Sequence, residues 1–583
     1  MTGSSPRRLV VVGNGMAGFR FVQEVLERDT GRRLAITVLS GEPGGAYNRA
    51  QLPNVLAGAT NVANIQLASE SWYAANGVTL HGGTSAARID RAKHRVCTDG
   101  GGWVPFDILV LATGSSPMLP PVAGLDGPDG RLLPGVVAFR TLADCATAGR
   151  LAATSESAVV LGAGVLGLEV ACGLAGQGVR VTLVQRGRRL MERQLDAAAS
   201  RVLARTARDL GVQVRLEAAV LQVRGPQRLS QIMLNDGGVL DARLLVLCCG
   251  ARPRVELARQ AGLAVGAGVL VDDQLRCSAE PPIFAIGECA EHRGRTYGLV
   301  APAWDQARVA AHVIARPAEP VSYPGSLTVT RLKAPGIELA SLGEATGEDE
   351  ATEEGTQGGT GNGEATGGPA GDGPEVICFS DRSRGVYQKL VVRDGRLAGA
   401  ILLGDTRAVG TITQLFDRQS ELPADRAALL LGRRGNAVAD AQSPTRIPGR
   451  AIICQCNGVT KASICGAWQD GAREVAEIAA RTRATTGCGT CRDAVEGIVT
   501  WLAAADTGPA APAGAAAQPG LTRQPGSGLP TQADLAAGTQ PAADPQPTAQ
   551  LLPGSARSIA YPEPARLLEP DLLVAGAIAG RGN

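Results

Sequence analysis

Large aromatic side chains are scarce in this chain, with Phe, Tyr and Trp together making up 3% of 583 residues. Ala, Gly, Leu and Val must therefore carry the cores within an apolar content of 44%. An excess of one charge sign is also missing, since the formal net charge is +2 and charged residues are 19%. No global field then draws the protein to nucleic acid or to an acidic membrane. No segment approaches the roughly 18 apolar residues of a membrane span, and the apolar run Leu9–Val12 is too short for a signal-peptide core. These absences lead to the expectation of a cytoplasmic protein without a membrane or nucleic-acid partner. Cysteine is absent before Cys97 and after Cys491. In an intracellular chain the thirteen in between read as metal ligands, reactive thiols or core residues, not as a disulfide framework.

Up to about residue 318, short Val/Ile/Leu runs alternate with Ala-rich helical patterns, which predicts βαβ units and parallel sheets. Near-continuous apolar runs such as Ala158–Leu161 and Leu244–Leu247 fit strands covered on both faces. The stretch Glu344–Glu375 is rich in Gly and acidic residues and has no Lys or Arg, so it reads as a disordered insertion. Order is expected again from Val376, with a hairpin over Lys389–Leu397 turning at Asp394-Gly395. A linker of Arg, Pro and Gly follows. From Ala504 onward Ala, Pro, Gly and Gln dominate; only Ala565–Ala579 carries enough Leu, Val and Ile for an amphipathic segment.

Two glycine fingerprints carry the chemistry. Leu9–Val12 runs into Gly13-Asn14-Gly15-Met16-Ala17-Gly18 and then a helical pattern. In that motif the first glycine makes the tight turn and the second admits a pyrophosphate; the third lets helix pack on strand, whose N-terminus faces the phosphates. A second strand, Ala35–Leu39, ends near Glu42, a carboxylate placed for ribose hydroxyls. Ala158–Leu161 leads into the second fingerprint, Gly162-Ala163-Gly164-Val165-Leu166-Gly167-Leu168-Glu169. Its next strand, Arg180–Val184, ends in Gln185-Arg186 and not in an acid. A carboxylate there would select NADH and an Arg would favour NADPH, so Arg186 leans towards NADPH while Gln185 decides nothing. Thr113-Gly114 after Leu109–Leu111, Gly250 after Leu244–Leu247, and Gly287-Glu288 after Pro282–Ile286 complete the candidate cofactor-binding set.

Four cysteines form the third constellation: Cys454-x-Cys456, a gap, then Cys488-x-x-Cys491. Four thiolates suit an iron–sulfur cluster or zinc. Zinc is the competing occupant, although Cys-x-Cys is less usual for it. Thr460 is placed to N-cap a helix after Cys456, and Cys491 opens a helical pattern over Ala494–Leu502. Helix N-termini beside the ligands would favour a negatively charged cluster. The other nine (Cys97, Cys145, Cys172, Cys248, Cys249, Cys277, Cys289, Cys378 and Cys465) read as small core hydrophobes.

The segments after Cys454 and around Cys488 resemble the 2Fe–2S domain of bacterioferritin-associated ferredoxin, in which all four cysteines ligate one cluster. Thr113-Gly114 and Gly287-Glu288 look like the second and third FAD contacts of two-dinucleotide-domain flavoproteins, where an Asp is commoner than Glu288. The runs Leu190–Asp196, Ile286–Ala290, Gly298–Pro302 and Gly404–Arg407 resemble the assimilatory NAD(P)H nitrite reductase large subunit, as does Tyr47-Asn48-Arg49, whose Arg matches a position beside the FAD. The resemblance covers about residues 7–502, apart from the acidic insertion. It implies an α/β fold of two Rossmann-like dinucleotide-binding domains, a small α+β domain and a small helical iron–sulfur domain. The implied boundaries are FAD domain 7–125 and 256–318, NAD(P)H domain 126–255, interface domain 319–430 with insertion 344–375, linker 431–449, cluster domain 450–503, and a low-complexity tail 504–583. The residue matching Glu169 lies near the nicotinamide.

Disulfide reductases of that architecture carry a close cysteine pair against the flavin, whereas here residues 1–96 have none, and adjacent Cys248-Cys249 cannot easily bridge. Nitrite reductases of the resembling kind continue into a sirohaem and 4Fe–4S module, yet no cysteine follows Cys491. The expectation is an electron-transfer subunit. NAD(P)H would reduce FAD, the 2Fe–2S cluster would carry electrons onward, and a separate molybdenum nitrate reductase would accept them. A sirohaem nitrite reductase is the second choice of partner. A non-catalytic redox sensor and a zinc-stabilised flavoprotein oxidase are the other readings, and homodimerisation is compatible with the sequence. No residue is singled out as catalytic.

Overall fold

The structure is a computed structural model that describes residues 5–127, 129–319, 321–346, 373–431, 447–449, 451–454, 457–485 and 491–507. The core of the expected acidic insertion, most of the linker, and the low-complexity tail with Ala565–Ala579 lie outside the described residues, as do Cys456 and Cys488. The chain divides into a unit 1–510 and a unit 511–583, the second of which is wholly outside them.

Two parallel sheets dominate. The first runs Arg276–Ser278, Ile283–Ala285, Ile108–Leu111, Arg7–Val12, Leu34–Ser40, Thr79–Gly82, with Leu9 aligned on Ile36 to one side and Ile108 to the other. Only the edge pair at Arg276–Ser278 is antiparallel. Its central residues Leu9, Val10, Val11, Leu109 and Val110 are buried, because helices Met16–Arg28 and Val300–Ala315 cover one face and an antiparallel three-stranded sheet (Ala86–Asp90, Arg95–Thr98, Trp103–Pro105) with short helix Glu256–Gln260 covers the other. Helix Met16–Arg28 buries Phe21, Val22 and Val25 beneath helix Val300–Ala315. Each of these side chains contributes about 1.5–3 kcal/mol by leaving water. Arg8 and Asp107 lock the start of the central strand by a salt bridge of 2.6 Å and a backbone bond in each direction.

The second sheet repeats the design in the order Val212–Arg215, Arg180–Val184, Ser157–Leu161, Leu244–Leu247, Val136–Ala138, all parallel. It is inserted in sequence between the strands Ile108–Leu111 and Ile283–Ala285 of the first sheet.

A five-stranded antiparallel sheet follows, ordered Val329–Ala334, Ile337–Gly343, Arg396–Leu403, Val386–Arg393, Glu375–Asp381. The hairpin turns at Asp394 and Gly395, both with positive φ (52° and 70°), as an Asp-Gly turn between right-twisted strands requires. One face packs under helix Val409–Arg418 through Ile412 and Phe416. The other joins the second parallel sheet's core through Leu339, Tyr387 and Ile401. With both faces covered, the inward Lys389 is 1% exposed and pairs with buried Asp196 at 3.1 Å. Tyr387 donates to the same carboxylate oxygen at 2.7 Å, while Ala199 N–H caps onto its other oxygen at 2.8 Å.

The last folded part pairs Ile452–Cys454 with Val459–Thr460 and adds helices Lys461–Gln469, Val475–Thr482 and Arg492–Thr507. It is therefore a small, mainly helical module, as expected, whose three helices follow a short β-ribbon. Its core contains Ile464, Trp468, Ile478, Val495 and Ile498. Among the described residues no helix is long and apolar enough to cross a membrane.

Candidate functional site

A single cleft of about 2180 Å³ is lined by both glycine loops. On the flavin side Gly13 has φ +110°, and a Cβ there would overlap the carbonyl of Ala112 on the neighbouring strand. A Cβ on Gly18 would overlap the carbonyl of Gly13, so the third glycine is buried packing and does not line the cleft. Gly15 is different: nothing lies within 4 Å of its Cβ position, and the open space belongs to the cleft. Gly162, Gly164 and Gly167 repeat the same division of labour against Cys248 and Gly162. Both loops thus leave room for a phosphate at their middle glycine and a helix N-terminus.

The charges fit an anionic dinucleotide. Glu42 accepts from Arg49 at 2.5 Å and from Tyr47 Oη at 2.8 Å. Arg49 also donates to the carbonyl of Arg140 at 2.9 Å. Arg140 reaches Glu288 and, at 2.5 Å, Ser115 Oγ, which itself donates to Glu288 at 2.9 Å. Thr113 Oγ1 and the carbonyl of Gly114 hold the backbone of Arg254, each at 2.9 Å. Burial, and then the neighbouring Arg49 and Arg140, lower the pKa of Arg254. Three guanidiniums that repel one another in a half-closed cleft favour an anion between them. Asn14, in the loop itself, accepts from Tyr73 Oη at 2.6 Å, and its buried Nδ2 has no hydrogen-bond partner. The donor set and the open glycine fit FAD.

Met16, Ala17, Glu169, Arg186 and Gly250 line the same cleft, whereas Gly287 is buried behind it, its N–H donating to Gln306 at 2.7 Å. At the end of Arg180–Val184 the Gln185 side chain turns inward and accepts from Ala163 N–H at 3.1 Å. Arg186 is exposed there, and the Glu192 carboxylate stands where Gly187 lacks a Cβ. Both signs of charge therefore meet at the coenzyme-selecting strand end, and Glu192 escaped the sequence reading because it lies beyond the motif. Arg140, Ser115 and Arg254 were also missed as a group. The one local signal was the Thr141/Asp144 capping box that fixes the turn after Arg140.

Cys491 and Ile452–Ile453 also line this cleft, which brings the cysteine module against the flavin side. Cys454 is buried in the module's core and Cys491 is 5% exposed. The Thr485 N–H donates to Cys491 Sγ at 3.3 Å, a bond that favours the thiolate form. Thr460 caps its helix as expected, accepting from Ser463 N–H at 3.1 Å. Two buried soft donors, Cys454 at a strand end and the amide-stabilised Cys491 at a helix N-terminus, fit an iron–sulfur cluster. Four of the scattered cysteines are poor nucleophiles: burial pushes the thiols of Cys145, Cys172 and Cys249 up to about 11 and Cys277 to about 12. Cys378 departs from the expected burial. It is exposed on the strand Glu375–Asp381, whose outer edge has no neighbouring strand among the described residues.

Gly15→Ala should leave the melting midpoint of the flavin-free protein unchanged but weaken flavin binding roughly tenfold, the factor for about 1.4 kcal/mol. Gly18→Ala, which must displace backbone, lowers both. Visible absorbance of the purified protein and a thermal melt check the pair.

Residues 7–310 match the model of the pyridine nucleotide-disulphide oxidoreductases, residues 363–420 that of the rubredoxin NAD+ reductase C-terminal domain, and residues 452–501 the BFD-like [2Fe-2S] binding domain. The chain is 35% identical over 508 residues to an assimilatory nitrate reductase electron transfer subunit of Bacillus subtilis (strain 168), covering 87% of this chain and 61% of that protein. It is 34% identical to a nitrite reductase [NAD(P)H] of the same organism, covering 87% and 59%. The chain thus spans about 60% of the length of these two relatives. The fold is shared with putidaredoxin reductase in its covalent complex with putidaredoxin, at TM-score 0.63 and 23% identity, covering 74% of this chain and 99% of that one. The chain belongs to the pyridine nucleotide-disulphide oxidoreductases, flavoproteins that use FAD and NAD(P)H, and joins to that fold a BFD-like [2Fe-2S] binding domain.

Proposed function

We propose that this chain is the reductase component of an assimilatory nitrate reductase, delivering electrons from NAD(P)H to a separate molybdenum-containing catalytic subunit in the cytoplasm. The observation that carries the reading is the shared cleft: Cys491 stands on the wall that also holds both dinucleotide loops. When bound, the cofactors supply hydride acceptance from NAD(P)H, release of its two electrons one at a time through the cluster, and return of the proton to solvent. The chain's residues position these groups. Gly13, Gly15, Met16, Ala17 and Gly18 shape the flavin pyrophosphate loop, Glu42 takes ribose hydroxyls, and Arg49, Arg140 and Arg254 neutralise phosphate. Thr113, Gly114, Gly287 and Glu288 close the flavin side. Gly162, Gly164, Gly167, Glu169, Arg186 and Gly250 serve the nicotinamide coenzyme, and Cys454, Cys456, Cys488 and Cys491 hold the cluster. With Cys145, Cys172 and Cys249 held protonated by burial, cluster export is favoured over chemistry at these thiols.

A separate sirohaem nitrite reductase is the second reading of the partner, favoured by the likeness to a nitrite reductase [NAD(P)H]. The test is NAD(P)H oxidation by the purified full chain, alone and with each candidate partner, followed by product analysis. Nitrite formed from nitrate only in the mixture with the molybdenum subunit is the expected result. NAD(P)H oxidation that neither partner accelerates overturns both readings.

A further inference from the structure

The cysteine module contacts the flavin-side fold through a small set of residues that no motif includes. Arg483 ends helix Val475–Thr482 with φ +64°, which turns its side chain out of the module. Its guanidinium donates to the carbonyl of Leu67 at 2.9 Å and to that of Gln66. Those carbonyls belong to a segment tied to the flavin cleft. Asn48 N–H donates to Ile65 at 2.7 Å and Leu67 N–H to Ala46 at 2.7 Å, and Tyr47 bridges Gln66. Tyr47 and Arg49 of that partner segment line the cleft. On the module's side, Asn457 Nδ2 donates to the Arg483 carbonyl at 2.5 Å, fixing the turn that launches the arginine.

A second contact lies beside it. Gly458 has φ +63°, and a Cβ there would stand 2.8 Å from the Arg20 guanidinium. Arg20 is held in place by Glu24 and by the Trp304 ring, 5.4 Å away. The module therefore meets helix Met16–Arg28, which begins at the flavin glycine loop.

Building on the electron path proposed above, we propose that Arg483 is a positioning residue that docks the iron–sulfur module on the flavin-side fold, with Cys491 held at the wall of the cleft. A bidentate donor to two carbonyls suits this task because it fixes orientation as well as distance, and Lys, a point charge, does so less well. Only Ala484 separates Arg483 from Thr485, the donor to Cys491 Sγ, so the clamp and the ligand move together.

The test uses the full chain with its cofactors and the variants Arg483→Gln, Arg483→Lys and Gly458→Ala. Iron content and the reduction potential of the cluster should match the unaltered protein, as should NAD(P)H-driven reduction of a dye that takes electrons at the flavin. Reduction of the cluster by NAD(P)H, followed by rapid-mixing absorbance and electron paramagnetic resonance, should slow at least about tenfold in Arg483→Gln, with partial recovery in Arg483→Lys. Hydrogen exchange across 457–485 should rise in parallel. Unchanged cluster reduction in both Arg483→Gln and Gly458→Ala overturns the docking role. A flavin that NAD(P)H does not reduce in the unaltered chain overturns the reading of function instead.

Discussion

Replacing Cys491 by Ser will remove the cluster and cut nitrate-dependent NAD(P)H oxidation by at least about 100-fold, equivalent to about 2.7 kcal/mol in effective barrier. Serine matches the thiol in size, so the module's packing survives, but its hydroxyl is a hard and scarcely ionised donor where soft thiolates are required. Cys145, Cys172, Cys249 and Cys277 offer no substitute for the lost electron route, because burial keeps them protonated. Dye reduction at the flavin should stay within about twofold, since hydride acceptance does not involve the cluster. Cys465→Ser is the matching control: Cys465 lies half-buried in helix Lys461–Gln469 and should leave the cluster in place. Normal nitrate reduction by Cys491→Ser protein would sink the relay. Metal analysis that finds zinc in place of iron would sink it equally.

Asp196→Ala should destabilise the fold by about 3–5 kcal/mol, the cost of leaving a buried charge without its partner. Asp196 is 3% exposed and joins Lys389 and Tyr387 across a sequence distance of nearly two hundred residues. Burial, with the bond to Asp196 next, raises the Tyr387 phenol far above its ordinary range, so it remains a donor at any working pH. The same carboxylate caps helix Ala197–Asp209, which adds about 1 kcal/mol to the loss. Against a typical stability of about 5–15 kcal/mol, this is a large fraction. Asp196→Asn keeps the shape and one acceptor oxygen but puts an amide donor at the other position and removes the charge, and should fall between. Pairing Asp196→Asn with Lys389→Met should recover part of the loss, because no lone charge then remains buried. Urea midpoints for the set decide it; an Asp196→Ala midpoint equal to that of the unaltered protein would refute the network's importance.

What was legible in the sequence was local. The Gly13 and Gly162 loops, the Asp394-Gly395 turn and the Thr460 cap each depend on neighbours a few residues away, and all stand in the structure as read. Contacts between distant segments were not legible. Arg140 meets Glu288, and Lys389 meets Asp196, only because separate sheets bring them together. Lys389 looked like an ordinary strand residue of a hairpin, and nothing local announces that both faces of its sheet are covered. Cys378 was misread for the converse reason: alternation along a strand says which residues share a face, not whether that face is covered. Glu192 lies outside the strand end that usually selects the coenzyme, and Arg483 belongs to no motif that would single it out.

The insertion of the second sheet between two strands of the first has a consequence for synthesis. Val136–Ala138 through Leu244–Leu247 leave the ribosome as one uninterrupted set, so that sheet assembles without waiting for distant chain. Strand Ile108–Leu111, by contrast, emerges long before its neighbour Ile283–Ala285. At about 5–20 residues per second the wait is roughly 9–35 s, during which a fully apolar strand edge stands open. The nascent flavin-side fold is thus the stretch most in need of a chaperone, and slowing translation between the two strands lengthens its exposure.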